Sequence, residues 1–193
     1  LTMKDHLKSL VQLAVKIHKR INTGNIKVLD IGCNDGTLLN FYPKKYKKYG
    51  VDPSQIIDKI DQTKINIIRD FFPFQKRKNK QFKEKFDLIT SIAMFYDLDD
   101  PNLFVEKIKF YLKDKGIWIF ELSYLIDMLK LNSFDTICHE HLEYYSLHSL
   151  DYLMRKHNLK IFKITKNDIN GGSIRCFITH NENLDYDTKK NKK

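Results

Sequence analysis

The stretch Val28-Leu29-Asp30-Ile31-Gly32-Cys33-Asn34-Asp35-Gly36-Thr37-Leu38-Leu39 constrains this chain more than any other. An apolar run breaks at Gly32, and Leu38 and Leu39 open a new apolar segment just after Gly36. That is the pattern of a buried strand, a tight turn and a helix, and in open α/β sheets ligands bind where such strands end. Gly32 and Gly36 let backbone approach a ligand with no side chain in the way. Asn34 stands where a dinucleotide fingerprint has its middle glycine, which leaves less room for a pyrophosphate. Twenty residues after Gly32, Asp52 closes a second apolar run and precedes Pro53. A carboxylate there can accept both hydroxyls of a ribose. Asp70 follows a third run, placed to meet an exocyclic amine such as that of adenine. The turn with its acids therefore suits a nucleoside-sized ligand; the competing interpretation is a structural turn with solvent-facing carboxylates.

The rest of the chain repeats the alternation. Leu7, Leu10, Val11, Ala14, Val15, Ile17 and Ile21 fall at helical spacing, which predicts an N-terminal helix within residues 1–22, ended by Asn22-Thr23-Gly24-Asn25. Strands are expected at Lys27–Gly32, Tyr49–Asp52, Lys64–Arg69, Phe86–Ile92 and Lys115–Glu121, with a helix from Pro101 to Leu112 between the last two. A helix over Ser149–His157 and strands over Leu159–Thr165 and Ser173–His180 complete the set. Asn170-Gly171-Gly172 is too short for a helical crossover, so the final two strands should pair antiparallel. The fold class is α/β: a Rossmann-like, doubly wound, mostly parallel seven-stranded sheet with an antiparallel C-terminal strand. Residues 1–181 are expected to form the domain and 182–193 a flexible basic tail.

Composition excludes several classes. Only three cysteines are present (Cys33, Cys138, Cys176), too few for a disulfide framework, so a reduced, cytoplasmic setting is expected. No apolar run approaches the roughly 20 residues of a membrane span, and the start lacks the order of a signal peptide. Leu1 in place of Met is what a fragment would show. A net charge of +10 invites a nucleic-acid partner. Yet lysines outnumber arginines 29 to 5, and arginine supplies most bidentate readout of bases and phosphates. Lys44–Lys48, Lys76–Lys80 and Lys189–Lys193 are expected to be solvated loops and a frayed end, and a small molecule is the expected partner.

A second constellation follows the fifth strand: Asp135-Thr136-Ile137-Cys138-His139-Glu140-His141-Leu142-Glu143-Tyr144-Tyr145-Ser146. No packing need accounts for two imidazoles, a thiol, several carboxylates and two phenols in one stretch. Zinc ligation by His139 and His141 with Cys138 or Cys176 does not match a tetrahedral spacing, and no metal is expected. A Cys/His nucleophile pair lacks a nameable partner. A general acid/base cluster fits better, since a neutral imidazole is poised near working pH and a neighbouring carboxylate can orient it. The bland alternative is a polar surface turn.

The glycine loop and its acids resemble those of class I methyltransferases that use S-adenosylmethionine, along most of the chain. The resemblance implies that Asp30 and Gly32 lie by the methionyl part of that cofactor, Asp52 on the ribose, and Asp70 with Phe71 around the adenine. The backbone at Ser91 and Ile92 would lie near its amino group, and Asn34, Gly36 and Pro53 complete the expected cofactor set. Residues 135–146, with Asn167-Asp168-Ile169-Asn170-Gly171-Gly172-Ser173-Ile174-Arg175 downstream, are similar to C-methyltransferases that modify deoxysugars on nucleotide carriers. That likeness makes His141 the base and Glu140 its helper, and puts Cys138, His139, Tyr96, Tyr144, Tyr145 and Asn170 on the substrate side. The chain departs from those relatives at Cys138, where some have Tyr, and at Ile92 and Tyr96, where they place Asn and His. They also carry a cysteine-rich zinc module before this region and a further lobe after it, so the chain resembles their central cofactor-binding piece. The implied activity is methylation of a keto-sugar carbon, with S-adenosylhomocysteine as product. The alternatives are an O- or N-methyltransferase of a small metabolite and an RNA methyltransferase.

Overall fold

The first helix forms where its apolar spacing demands it and begins where its cap allows. In the computed structural model of the protein, which describes residues 2–19, 24–74 and 84–186 and only the backbone of Asn170, helix α1 spans Met3–His18. The Asp5 backbone N–H donates to Thr2 Oγ1 at 3.2 Å, and the Thr2 N–H donates back to the Asp5 carboxylate at 3.3 Å. This reciprocal cap satisfies two of the donors that a helix start leaves unpaired.

Strands β1 (Lys27–Ile31), β2 (Lys47–Val51), β3 (Asn66–Ile68), β4 (Phe86–Ile92), β5 (Leu112–Ser123), β6 (Leu159–Asn167) and β7 (Ser173–His180) build one sheet in the order β3-β2-β1-β4-β5-β7-β6. β1 pairs parallel with β2 and β4, β2 with β3, and β4 with β5. β7 runs antiparallel to both β5 and β6, and the short Asn170–Gly172 link accounts for the pairing with β6. Helix α2 (Thr37–Phe41) follows β1, α3 (Pro101–Tyr111) follows β4, and α4 (Leu125–Leu131) and α5 (Leu147–Lys156) lie between β5 and β6.

The central strands are apolar on both sides because both sides are covered. Leu10, Val11 and Ala14 of α1 pack with Val28, Leu88, Ile119 and Phe177 on one face. Phe104 and Ile108 of α3 and Leu150 and Met154 of α5 pack with Leu29, Ile89, Trp118 and Phe120 on the other. Trp118 is fully buried, and its indole donates to Ser91 Oγ at 3.0 Å.

Several boundaries differ from the sequence expectation, each for a local reason. β3 is shorter than Lys64–Arg69 because Lys64 and Ile65 donate their N–H groups to the Asp61 carbonyl in a turn. β5 starts at Leu112, paired with Phe86 ahead of a register shift, so α3 stops one residue earlier than expected. Ser146 caps α5, which makes Ser149 its third residue and not its first. Helix α4 was not anticipated. The expected tail from residue 182 is a correction as well: Asn183 donates to Thr179 Oγ1 at 2.9 Å, and Tyr186 is buried with its ring 4.5 Å from that of Phe162. Lys76–Lys80 and Lys189–Lys193 lie outside the described residues.

Candidate functional site

The turn after β1 has the backbone that its glycines predicted. Gly32 and Gly36 take φ of +71° and +74°, a region that other residues rarely adopt, and Asn34 joins them at +50°. A Cβ on Gly36 would come within 3.1 Å of Ile60, so that glycine is also a packing requirement. Gly32 is exposed, and a Cβ there would lie 3.5 Å from Met94. Asp52 ties the loop to β2: its carboxylate accepts the Asn34 N–H at 2.9 Å on one oxygen, and the Ser54 N–H at 2.9 Å and hydroxyl at 2.5 Å on the other. Three of its roughly four acceptor positions are thus filled by the protein. A clamp on both ribose hydroxyls therefore requires Ser54 Oγ to rotate away, a role that the sequence did not disclose. Pro53 is exposed beside it. Asp70 is buried and accepts the N–H of Phe71 at 2.9 Å, while Phe71 itself is 57% exposed.

Asp30 lies on the α1 side of the sheet, fully buried, with the Thr90 hydroxyl donating to it at 2.5 Å. Burial pushes its carboxyl up to about 7; the Thr90 hydroxyl opposes this and the Asp52 charge adds to it. Burial also raises the Cys33 thiol, which makes it a poor nucleophile. Ser91 has its side chain committed to Trp118, and both Ser91 and Ile92 keep their backbone in the ladder with β5.

A polar cluster that the sequence reading missed locks α1 over the ends of β5 and β7. Glu121 Oε2 accepts from Arg175 Nε at 2.7 Å and from Asn167 Nδ2 at 3.1 Å, while His6 Nε2 lies 2.5 Å from Glu121 Oε1. Arg175 Nη2 also lies 3.2 Å from His6 Nε2. One ring nitrogen cannot donate to Glu121 and accept from Arg175 together, and the shorter contact makes it a donor to Glu121. His6, Glu121 and Arg175 are all buried. A carboxylate ending an Ile-Trp-Ile-Phe strand, as Asp52 ends β2, was the available signal.

The second constellation is only partly assembled. Residues 138–141 form a turn, with the His141 N–H donating to the Cys138 carbonyl at 3.2 Å, so the two histidines diverge. His139 has a side chain 92% exposed and lies 3.7 Å from Glu140, itself 72% exposed. Glu140 therefore neighbours the other histidine and not the one it was expected to help. His141 is half-buried: its Nδ1 is 2.8 Å from the Thr136 carbonyl, and its ring centroid lies 4.3 Å from that of Tyr96. A carbonyl only accepts, so Nδ1 carries the proton and a neutral ring presents a bare Nε2. Tyr96, expected to face substrate, is instead buried beneath His141, with its hydroxyl donating to the Ala93 carbonyl at 3.1 Å. Tyr145 is a second correction: it is buried in the core, its ring 5.3 Å from that of Phe95. Tyr144 stays half-buried and lines an apolar cavity of about 610 Å³ with Leu125, Met128, Leu129, Phe134 and Ile137. Cys138 is half-buried, and Asn170 lies on the β6–β7 link.

Asp97, not singled out from sequence, shares this environment. Burial raises its carboxyl, the His141 charge lowers it and the Glu140 charge raises it. The two halves of the site are connected. Met94, the neighbour of Gly32, precedes the one-turn helix Phe95–Asp97 that carries Tyr96, and the Tyr96 carbonyl accepts the Glu143 N–H at 3.0 Å. Among the described residues no three His, Cys, Asp or Glu side chains converge as a metal site, and no helix is long and apolar enough to cross a membrane.

This sheet order, with a glycine turn and acids at successive strand ends, defines a class I methyltransferase domain, which uses S-adenosylmethionine. The chain belongs to the methyltransferase domain family, whose sequence profile matches residues 3–164. It is 29% identical over 176 residues to the C-methyltransferase NovU of Streptomyces niveus; that match covers 89% of this chain and 41% of the relative. The chain thus spans about two fifths of that relative's length. The plantazolicin methyltransferase BpumL, solved with S-adenosylhomocysteine, is 15% identical at a TM-score of 0.70, covering 94% of this chain and 86% of that one. A S-adenosylmethionine-dependent methyltransferase from Clostridium acetobutylicum is 16% identical at 0.68, with coverage of 93% and 92%. At those identities the structures share the fold.

Proposed function

We propose that the domain binds S-adenosylmethionine over the Gly32–Gly36 loop and methylates the carbon beside the carbonyl of a nucleotide-linked keto-deoxysugar, with His141 Nε2 as the base. The bond from His141 Nδ1 to the Thr136 carbonyl carries the assignment of the base, because it fixes the tautomer that leaves Nε2 able to accept a proton. The likeness to a C-methyltransferase supports carbon as the acceptor atom.

The residues present fit the cofactor. Asp30, Asp52 and Asp70 are buried acids at successive strand ends, and Asp30 and Asp52 form no ion pair with any described residue. The exposed Gly32 leaves the loop open to a close approach. Asp52 would hold the ribose, Asp70 and Phe71 the adenine, and Asp30 with the Ser91 and Ile92 backbone the methionyl end. Once bound, the cofactor supplies an electrophilic methyl group on a sulfonium.

The chain's own work is alignment and proton removal. A C–H beside a carbonyl is a weak acid, so a positioned imidazole contributes about 10²–10⁴-fold. His141 Nε2 takes that proton while the Thr136 carbonyl orients the imidazole and the Tyr96 ring packs against it. The resulting imidazolium is stabilised by the Asp97 carboxylate, whose field His141 shares. Tyr144 and the apolar wall beside it offer the acceptor an apolar face to pack against. That apolar wall also favours a second reading, methylation of a hydroxyl on an apolar metabolite, in which the same Nε2 deprotonates oxygen.

Solvent deuterium exchange at the carbon beside the carbonyl tests the proposal, with S-adenosylhomocysteine present to block transfer. Exchange into a candidate nucleotide-linked keto-sugar, lost in His141→Ala, is the expected result. Methylation of a hydroxyl by the complete protein, with no exchange on any keto-sugar, replaces the C-methyl proposal with the second reading.

A further inference from the structure

Among the described residues, the buried Asp30 carboxyl meets no cation that would account for a charge. Its partner is a single neutral hydroxyl, that of Thr90 at 2.5 Å. The groups facing it from the neighbouring elements are Cys33 of the loop, Tyr42 after α2 and Asp52 after β2, none of them cationic. The Tyr42 hydroxyl lies close to Thr90 and the acid, fully buried, yet meets no hydrogen-bond geometry. Lys4 of α1 acts on Asp35, further out along the loop. By contrast, buried Glu121 a few strands away is matched by Arg175 and His6. A buried carboxylate without a counter-charge is costly, and such a group stays protonated until a cation arrives.

We propose that the Asp30 carboxyl registers the charge of the cofactor: it holds a proton in the empty domain and yields it to solvent when the cationic methyl donor settles over the loop. The inference rests on the cofactor lying over the Gly32–Gly36 turn. S-adenosylmethionine brings a sulfonium and an ammonium, whereas S-adenosylhomocysteine has lost the sulfonium charge. Donor binding therefore expels more proton than product binding, and the product leaves a site that favours reprotonation. By linkage, low pH weakens the donor more than the product. Burial holds the carboxyl near 7, so the exchange falls in the neutral range.

Titration calorimetry of the intact domain in two buffers of different ionisation enthalpy counts the protons directly. At pH 6 donor binding should release nearly one proton, at pH 7 about half of one, and by pH 8.5 almost none, following the ionisation of a single group near 7. Homocysteine product should release clearly less at pH 6. Asp30→Asn should abolish the difference. If that variant fails to fold, Thr90→Val serves instead: loss of the hydroxyl disfavours the carboxylate, so release should persist to higher pH. Donor binding with no buffer dependence at pH 6, or an unchanged proton count in folded Asp30→Asn, overturns the role of Asp30 and leaves the cofactor site standing. Failure of the wild-type domain to bind either ligand overturns the site and this inference together.

Discussion

The strand ends of the sheet and the 135–146 segment carry similar side chains and treat them in opposite ways. At the strand ends, Asp30, Asp52, Asp70 and Glu121 are buried and each accepts from a named donor. In the 135–146 segment, the His139 and Glu140 side chains are 92% and 72% exposed, and only His141 is held, by one carbonyl and one ring. The difference follows from what each side must do. If the proposed cofactor site is right, a fixed nucleoside rewards groups whose geometry is set before binding. A loop that receives a substrate loses less by leaving its charges solvated, where exposed pairs contribute little.

The sharpest way to break the comparison is Glu121→Ala. If the buried cluster is as tightly matched as its distances indicate, the variant leaves Arg175 charged and unpaired beneath α1. It should cost about 3–5 kcal/mol in denaturant unfolding. A loss below about 1 kcal/mol would mean that water reaches the cluster and that the two sides are alike. Next in size is Asp52→Ala. It removes a ribose acceptor and also frees the Asn34 and Ser54 N–H groups, so cofactor affinity by calorimetry should fall at least tenfold, about 1.4 kcal/mol. Ser54→Ala separates these roles: if the Ser54 hydroxyl must leave for the ribose, its removal should keep or improve affinity. Smallest is His139→Ala. Being 92% exposed, it should change stability by less than about 0.5 kcal/mol, as surface substitutions do. It should also leave turnover within about twofold, read by initial rates; a tenfold loss would give the open loop a second reacting histidine.

The same contrast explains what was legible in the sequence. The glycine turn and its acids are local: Gly32, Asp52 and Asp70 each mark the end of an apolar run, Gly36 precedes the next one, and the fold class follows from the alternation around them. The Glu121 cluster was not legible, because it joins residues 115 and 169 positions apart in the chain. Tyr145 was misjudged for a related reason. Beside His141 and Tyr144 it shares their composition, but α5 and Phe95 draw its ring into the core. Choosing between His139 and His141 required the turn at 138–141, which residue types do not specify. Asp97 passed unnoticed because its relation to His141 spans two loops and no motif.

The account stands or falls on His141 acting in chemistry while the cofactor side works without it. The direct measurement is made on a single preparation of His141→Ala, recording calorimetric affinity for S-adenosylhomocysteine and turnover on a methyl acceptor. Affinity within about twofold of wild type, with turnover lower by about 10² or more, is the predicted result. Equal losses in both, or turnover that survives the substitution, would contradict it.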